Sequence, residues 1–385
     1  MTVYKKRTKK YPIKKRFIIA VFVASFFVWG GLNFPFSGVV FEYLASNDGT
    51  PEKDIVHHIK TPDEVRGIYM TSWIASTKSL RDKLIKLVED TELNSLIIDV
   101  KDYTGKVAFL MKNQKVLEAG SSEERIKDIK EFIEELHGKN IYTIGRIAVF
   151  QDSYLAKVRP DLAVKRNDGI TNWKDDKGTA WLDPCSKEVW EYTIAIAREA
   201  ESVGFDELNF DYIRFPSDGN MNDIKYLHCD NTLNKADLLE SFFYYLKKEI
   251  SDLRVPISAD LFGLVTINTD DLKIGQVLER AEPYFDYISP MVYPSHYPKD
   301  YNGLANPAAK PYEIIKLSLD SAVARLLAAS SSPFKLRPWL QDFDLGANYD
   351  AAMIRKEKQA VYDAGLNSWL MWSPSNKYTI DAFDK

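Results

Sequence analysis

The feature that most constrains this chain is an alternation, repeated eight times after residue 64, between a short apolar run and a longer stretch of helical periodicity. The apolar runs span 66–73, 95–102, 142–150, 207–216, 255–263, 286–293, 336–343 and 368–373, and the helical stretches span 79–91, 123–138, 186–203, 235–253, 274–281, 311–329 and 349–364. Strands separated by helices of this length pair in parallel, because each crossover lays its helix over the sheet. Eight such units have one economical solution, a sheet closed on itself, so residues 65–385 are expected to form a (β/α)8 TIM barrel. Local signals agree: Ser186 follows Asp183-Pro184 and opens one helical stretch, and Gly204 stands where a glycine cap would end it. Leu80, Leu84, Leu87 and Val88 recur at helical spacing and are assigned to core packing. The long connections, 103–122, 151–185, 217–234 and 294–310, each follow a strand and precede a helix. All four therefore belong on the C-terminal face of the barrel, where loops carry function.

Charge is distributed unevenly. Of the 51 Lys and Arg residues, eight fall in residues 1–16 and none in 17–41, which leaves 43 basic against 55 acidic side chains in the remainder. A net acidic body argues against nucleic acid as a partner. The basic tail runs into Phe17-Ile-Ile-Ala-Val-Phe-Val-Ala-Ser-Phe-Phe-Val-Trp-Gly-Gly-Leu32, and no charge appears between Arg16 and Glu42. With its extension to residue 41 this run is long enough to span a bilayer, so 1–16 is read as a basic cytoplasmic tail, 17–41 as a single transmembrane signal anchor and 42–64 as a linker. The positive-inside rule places the barrel outside the cytoplasm, anchored in the cell membrane. A cleaved signal peptide is the competing reading, since Leu44-Ala-Ser46 offers small residues. Cys185 and Cys229, the two cysteines, would lie in an oxidising compartment, but spacing alone does not pair them. The five histidines form no metal-ligand pattern, and no metal or cofactor is expected.

The working groups of such a barrel stand where strands end. Within Asp206-Glu-Leu-Asn-Phe-Asp-Tyr-Ile-Arg-Phe-Pro216, alternation puts Asn209, Asp211 and Ile213 on one face and Leu208, Phe210 and Tyr212 on the other, with Asp211 aimed inward. The next strand supplies Asp260 in Ser258-Ala-Asp-Leu-Phe-Gly263. Two inward acids on adjacent strands suit a reaction that needs one ionised and one protonated carboxyl group, of which glycoside cleavage is the leading case. Mutual repulsion or an apolar wall would keep one protonated, and Arg214 is expected to hold the other ionised. Around the pair, Trp73, Asp99, Lys101, Arg146, Tyr212, Tyr293, Trp339, Gln341, Asp342 and Trp372 are candidate substrate-binding residues, with Trp73, Tyr293, Trp339 and Trp372 as rings for stacking on sugar faces. The competing structural readings are an ion network within the barrel for Asp99, Lys101 and Arg146, and core packing for Tyr293 and Trp369. Asp102 reads as a loop residue, and Asp206 and Glu207, at the start of their strand, fall on the stability face.

Trp181-Leu-Asp-Pro184, Val189-Trp-Glu-Tyr192, Ala200, Gly204-Phe205 and Asp211-Tyr-Ile-Arg-Phe-Pro216 resemble a family of bacterial glycoside hydrolases otherwise labelled a domain of unknown function. Arg66-Gly-Ile-Tyr69, Ser258-Ala-Asp260 and Trp369-Leu-Met-Trp372 agree with it, and Phe-Asp-Tyr-Ile-Arg-Phe-Pro is its most specific element. The resemblance covers roughly residues 65–376 and implies a TIM-barrel glycosidase distantly similar to the alpha-amylase group. It carries over an Asp nucleophile ending the fourth strand, matched by Asp211, and an acid ending the fifth, matched in position by Asp260. The amylase-like enzymes use Glu at the second place, so this chain departs from them there. A chitinase-type reading fails, because aligning Asp211 with the last Asp of that motif leaves Ile213 where the essential acid belongs. The expectation is a membrane-anchored, extracytoplasmic glycosidase acting on a polysaccharide or oligosaccharide. A non-catalytic carbohydrate-binding barrel is the alternative.

Overall fold

A computed structural model describes residues 56–230 and 232–385. The anchor at 17–41 and most of the linker lie outside the described residues, and among those described no helix is long and apolar enough to cross a membrane. Eight parallel strands close into a barrel in sequence order: β1 (Arg66–Met70), β2 (Ser95–Lys101), β3 (Tyr142–Ala148), β4 (Glu207–Asp211), β5 (Ile257–Phe262), β6 (Tyr287–Met291), β7 (Trp339–Gln341) and β8 (Trp369–Trp372). The last α-helix before each following strand is α1 (Lys78–Glu89), α2 (Ile129–Gly138), α3 (Lys187–Ser202), α4 (Lys235–Glu249), α5 (Leu278–Ala281), α6 (Pro311–Ala328) and α7 (Ala351–Asp363), with further short α-helices at Ser72–Ala75, Gln114–Ala119 and Ser153–Val158. Every expected strand and helix is present.

The boundaries that moved did so for identifiable reasons. The expected fourth strand ran to Pro216, but β4 stops at Asp211 because Tyr212 takes a left-handed backbone, φ +53°. The helical stretch expected from 274 begins at Leu278, since Gly275 at φ +83° interrupts the run. Helix α4 starts where Asn234 accepts the N–H of Asp237, and α7 where Asp350 accepts that of Met353. Gly204, at φ +115°, follows the end of α3 as the sequence indicated.

The apolar residues form two layers. The larger packs the outer faces of the strands against the helices, with Leu96, Ile98, Phe210 and Phe285 among its members. The smaller fills the barrel itself with Val65, Tyr69, Ile97, Tyr142, Ile144, Tyr293, Trp339 and Leu370. At the N-terminal end this interior is closed by polar contacts: Glu207 accepts from Tyr142 and Arg337, and Asp206 accepts from Thr143 and from the N–H of Ile59. Asp206 and Glu207 thus serve the stability face. At the opposite end the interior gives way to charge.

Candidate active site

Arg146 of β3 organises that end. Register places it beside Asp99 of β2 and Asn209 of β4, and sets Ala148 beside Asp211. Its Nη1 donates to Asp99 Oδ1 at 2.7 Å, its Nη2 to Asp211 Oδ2, and its Nε stands 3.7 Å from Asp260 Oδ2. One buried guanidinium therefore faces three carboxyl groups. Each acid has further partners. Asp211 Oδ1 accepts the N–H of Tyr212 at 2.5 Å, and Asp99 Oδ2 accepts the Tyr69 hydroxyl at 2.5 Å. Asp260 Oδ1 accepts from Asn209 Nδ2 at 2.9 Å and from the Trp339 indole at 2.8 Å.

A single cation cannot offset three anions in a buried setting, so protons are retained. Burial, reinforced by the charge of Asp211, pushes Asp260 up to about 8. Burial also raises Asp99 to about 6, against the opposing pull of Arg146. The Tyr293 hydroxyl rises well above its ordinary value, first through burial and then through Asp260 and Asp211.

Above this network opens a cavity of about 440 Å3, lined by Asp260, Tyr212, Arg214, Phe262, Tyr293, Trp339 and Trp372 together with loop residues. Tyr212 reaches it against the alternation read from the sequence, because the left-handed turn after Asp211 re-aims its ring, which meets Trp181 edge-on with centroids 5.9 Å apart. Trp372 stacks on Tyr69 at 4.0 Å and meets Trp339 edge-on. Asp211 is not among the lining residues; it joins the cavity through the Arg146 it shares with Asp260.

Four expected site residues are placed elsewhere. A register shift between Asp99 and Lys101 breaks the strand alternation, so the Lys101 ammonium turns to Asp152, at 2.7 Å, and to the carbonyls of Ala148 and Val149. It is not part of the Arg146 network. Trp73 lies in a short helix under the Arg125 guanidinium, 62% exposed and away from the cavity lining. Gln341 is spent on Ser295 and the carbonyl of Phe343, and Asp342 on the N–H and hydroxyl of Thr379. The expected partner of Asp211 is also corrected: Arg146 grips it, while Arg214 donates to the Phe215 carbonyl and Ser217. Trp369 packs outside the barrel, its indole bonded to Tyr362. Asp102 accepts from Thr104 and Arg125 in its loop.

Sequence reasoning passed over Asn209, although its position two residues before Asp211 on an alternating strand put both on one face. It also assigned nothing to Lys177, Asp218, His296 and Tyr297, which line the cavity from three of the four long connections. Cys185 and Cys229 are disulfide-bonded, which fastens the connection 151–185 to 217–234.

A closed parallel barrel with acids and rings clustered at the C-terminal ends of its strands has the layout of the TIM-barrel enzymes, whose sites lie at that face among the loops. The sequence model of the family described as "Putative glycosyl hydrolase domain" matches residues 67–378, and the chain belongs to that glycosidase family. Among solved structures, the glycoside hydrolase domain of PgaB (BpsB) from Bordetella bronchiseptica is similar in fold, with 14% identity, 84% of this chain and 99% of that one covered, and a TM-score of 0.61. A hypothetical protein from Ruminiclostridium thermocellum is 32% identical over 50% of this chain and 96% of its own, with a TM-score of 0.46. No curated protein matches.

Proposed function

We propose that the protein is a membrane-anchored, extracytoplasmic glycosidase that cleaves an O-glycosidic bond of a polysaccharide with Asp211 and Asp260. One observation carries this reading: two acids on adjacent strands share Arg146, and burial beside Asp211 pushes Asp260 up to about 8. Asp211 accepts from the Arg146 guanidinium and from a backbone N–H, charge-assisted contacts that fix its carboxyl group in place. Asp260 lines the cavity and retains its proton at neutrality. Because Oδ1 of Asp260 already accepts two N–H groups, that proton belongs on Oδ2.

The division of labour follows. Asp260 gives its proton to the departing glycosidic oxygen, and the electron pair of the C–O bond leaves with that oxygen. Asp211 meets the positive charge on the anomeric carbon, by attacking it or by activating a water. Tyr293, Trp339 and Trp372 line the space the sugar would enter, and Tyr212 and Arg214 border it. The anchor at 17–41 would hold the barrel at the outer side of the cell membrane, and the Cys185–Cys229 disulfide suits that oxidising compartment.

The test is turnover by the full-length, detergent-solubilised chain on a polysaccharide panel. Asp211→Asn is expected to abolish cleavage with folding and glycan binding retained, and wild-type turnover by that variant would refute its role. Asp260→Asn is expected to lose most on substrates with poor leaving groups. Equal loss on activated aryl glycosides would remove it as proton donor. The carbohydrate-binding alternative draws on one fact, the absence of Asp211 from the cavity lining. It predicts binding without cleavage across the panel.

A further inference from the structure

Among the described residues, Arg214 and Lys165 are the buried cations without a carboxylate within ion-pair distance, and Lys165 has its ammonium on Asn172 Oδ1 and the Ile170 carbonyl. Arg81, Lys101, Arg146, Arg337 and Lys358 each have a carboxylate within ion-pair distance. Arg214, only 7% exposed, has none among the described residues. Its Nη1 is used by the Phe215 carbonyl at 3.1 Å and Ser217 Oγ at 3.2 Å, whereas Nε and Nη2 have no acceptor in the described chain. The guanidinium lies between aromatic rings, 4.5 Å from the centre of Phe262 and 4.7 Å from that of Trp181, and it lines the cavity. A buried cation without a counter-ion is costly, and the rings replace little of the lost hydration. Lys177, exposed on the connection 151–185, lines the same space and has no ion pair among the described residues. Asp218, the other charged rim residue, accepts from the N–H of Asp176, on the connection that carries Lys177, and from Ser217.

We infer that the cavity takes a glycan bearing an oxyanion, a carboxylate or a phosphate group, on or next to the sugar at the cleavage point, with the free edge of Arg214 as its receptor. The inference rests on the hydrolase reading of the same cavity. Nε and Nη2 form the edge of the guanidinium fork that matches two oxygens side by side. Lys177 adds a second positive charge where the glycan enters.

The experiment measures binding by the full-length solubilised chain carrying Asp211→Asn, so that cleavage does not consume the probes. The probes are oligogalacturonate against its carboxyl-reduced form, and a phosphate-substituted mannan against the same mannan after phosphatase treatment; the pair that discriminates identifies the anion. In that pair the anionic member is expected to bind about 10- to 100-fold more tightly, the range of a charge-assisted bidentate contact, and less so in high salt. Arg214→Gln should bring the ratio towards one, and Arg214→Lys, which keeps the charge but not the fork, should lose most of it. If neither folds by circular dichroism, Lys177→Glu on the exposed rim decides, by lowering the ratio or leaving it unchanged. A panel in which no anionic member exceeds its neutral partner, or a preference that survives these substitutions, overturns the inference. Failure of the hydrolase reading shows separately, as turnover retained when Asp211→Asn alone is assayed.

Discussion

Asp260 and Asp211 stand near one guanidinium but are bonded differently, and the difference is measurable as pH dependence. If Asp260 delivers the proton, the rate on substrates with poor leaving groups should fall as pH rises through about 8, where that proton is lost. Activated aryl glycosides need no donor and should lack this alkaline limb; an identical limb on both would point to another group. Stability carries the same signature. The folded value of Asp260 lies above the ordinary 3.8, so its favourable contribution is complete below about 3.8 and is lost as pH rises towards 8. Asp260→Asn cannot titrate. The melting temperature of that variant relative to wild type should therefore climb between pH 4 and 8, and a difference independent of pH would contradict the buried protonated acid. Both acids were legible in the sequence because strand alternation is short-range and rigid. Their shared partner was not, because Arg146 lies 65 residues before Asp211 and only barrel closure sets the two side by side.

Among the elements, the ends of the strands decide what reaches the cavity. The irregularity between Asp99 and Lys101 sends two residues of one strand to different surroundings, and the left-handed turn at Tyr212 brings an outward residue back to the mouth. Neither leaves a glycine or proline in the sequence to announce it, which is why Lys101 was placed wrongly. Gly263 is the reverse case, a residue whose sequence position gives little hint of its constraint. It follows β5, and a Cβ there would stand 2.4 Å from the carbonyl oxygen of Met291 at the end of β6. Gly263→Ala should force these strand ends apart and cost about 1–3 kcal/mol in denaturant unfolding, a typical range for overpacking. Because both ends border the cavity, glycan affinity should drop as well. Unchanged stability would mean that the two ends yield more easily than their spacing indicates.

Across the whole molecule, the barrel closes unevenly and its mouth is fastened by one covalent link. Pairing of β6 with β7 and the residues leading into it rests on two separated matches, Met291 with Trp339 and Ile288 with Leu336, whereas β2 and β3 match along most of their length. Hydrogen exchange should accordingly be faster along the β6–β7 seam than between β2 and β3. The disulfide lies on the other side of the cavity, joining the connections that carry Lys177 and Asp218. Replacing both cysteines by Ser should loosen those loops and weaken glycan binding more than it lowers the melting temperature, since the barrel strands do not depend on that link. A parallel fall in both would show that the loops hold up the fold.

What the sequence determined by itself was the number, order and kind of elements, and hence the barrel. Periodicities of two and 3.6 residues are local, and eight alternating units leave a parallel sheet few ways to bury both faces. It also determined which strand ends carry acids and rings, since alternation assigns each side chain a face. Only the tertiary structure decided which of those groups meet. Arg146 collects Asp99, Asp211 and Asp260 from three other strands, Asn209 and Trp339 settle on Asp260, and Arg214 is left without an anion. Such partnerships depend on distances across the barrel and on burial, and these exist only once the last strand has paired with the first.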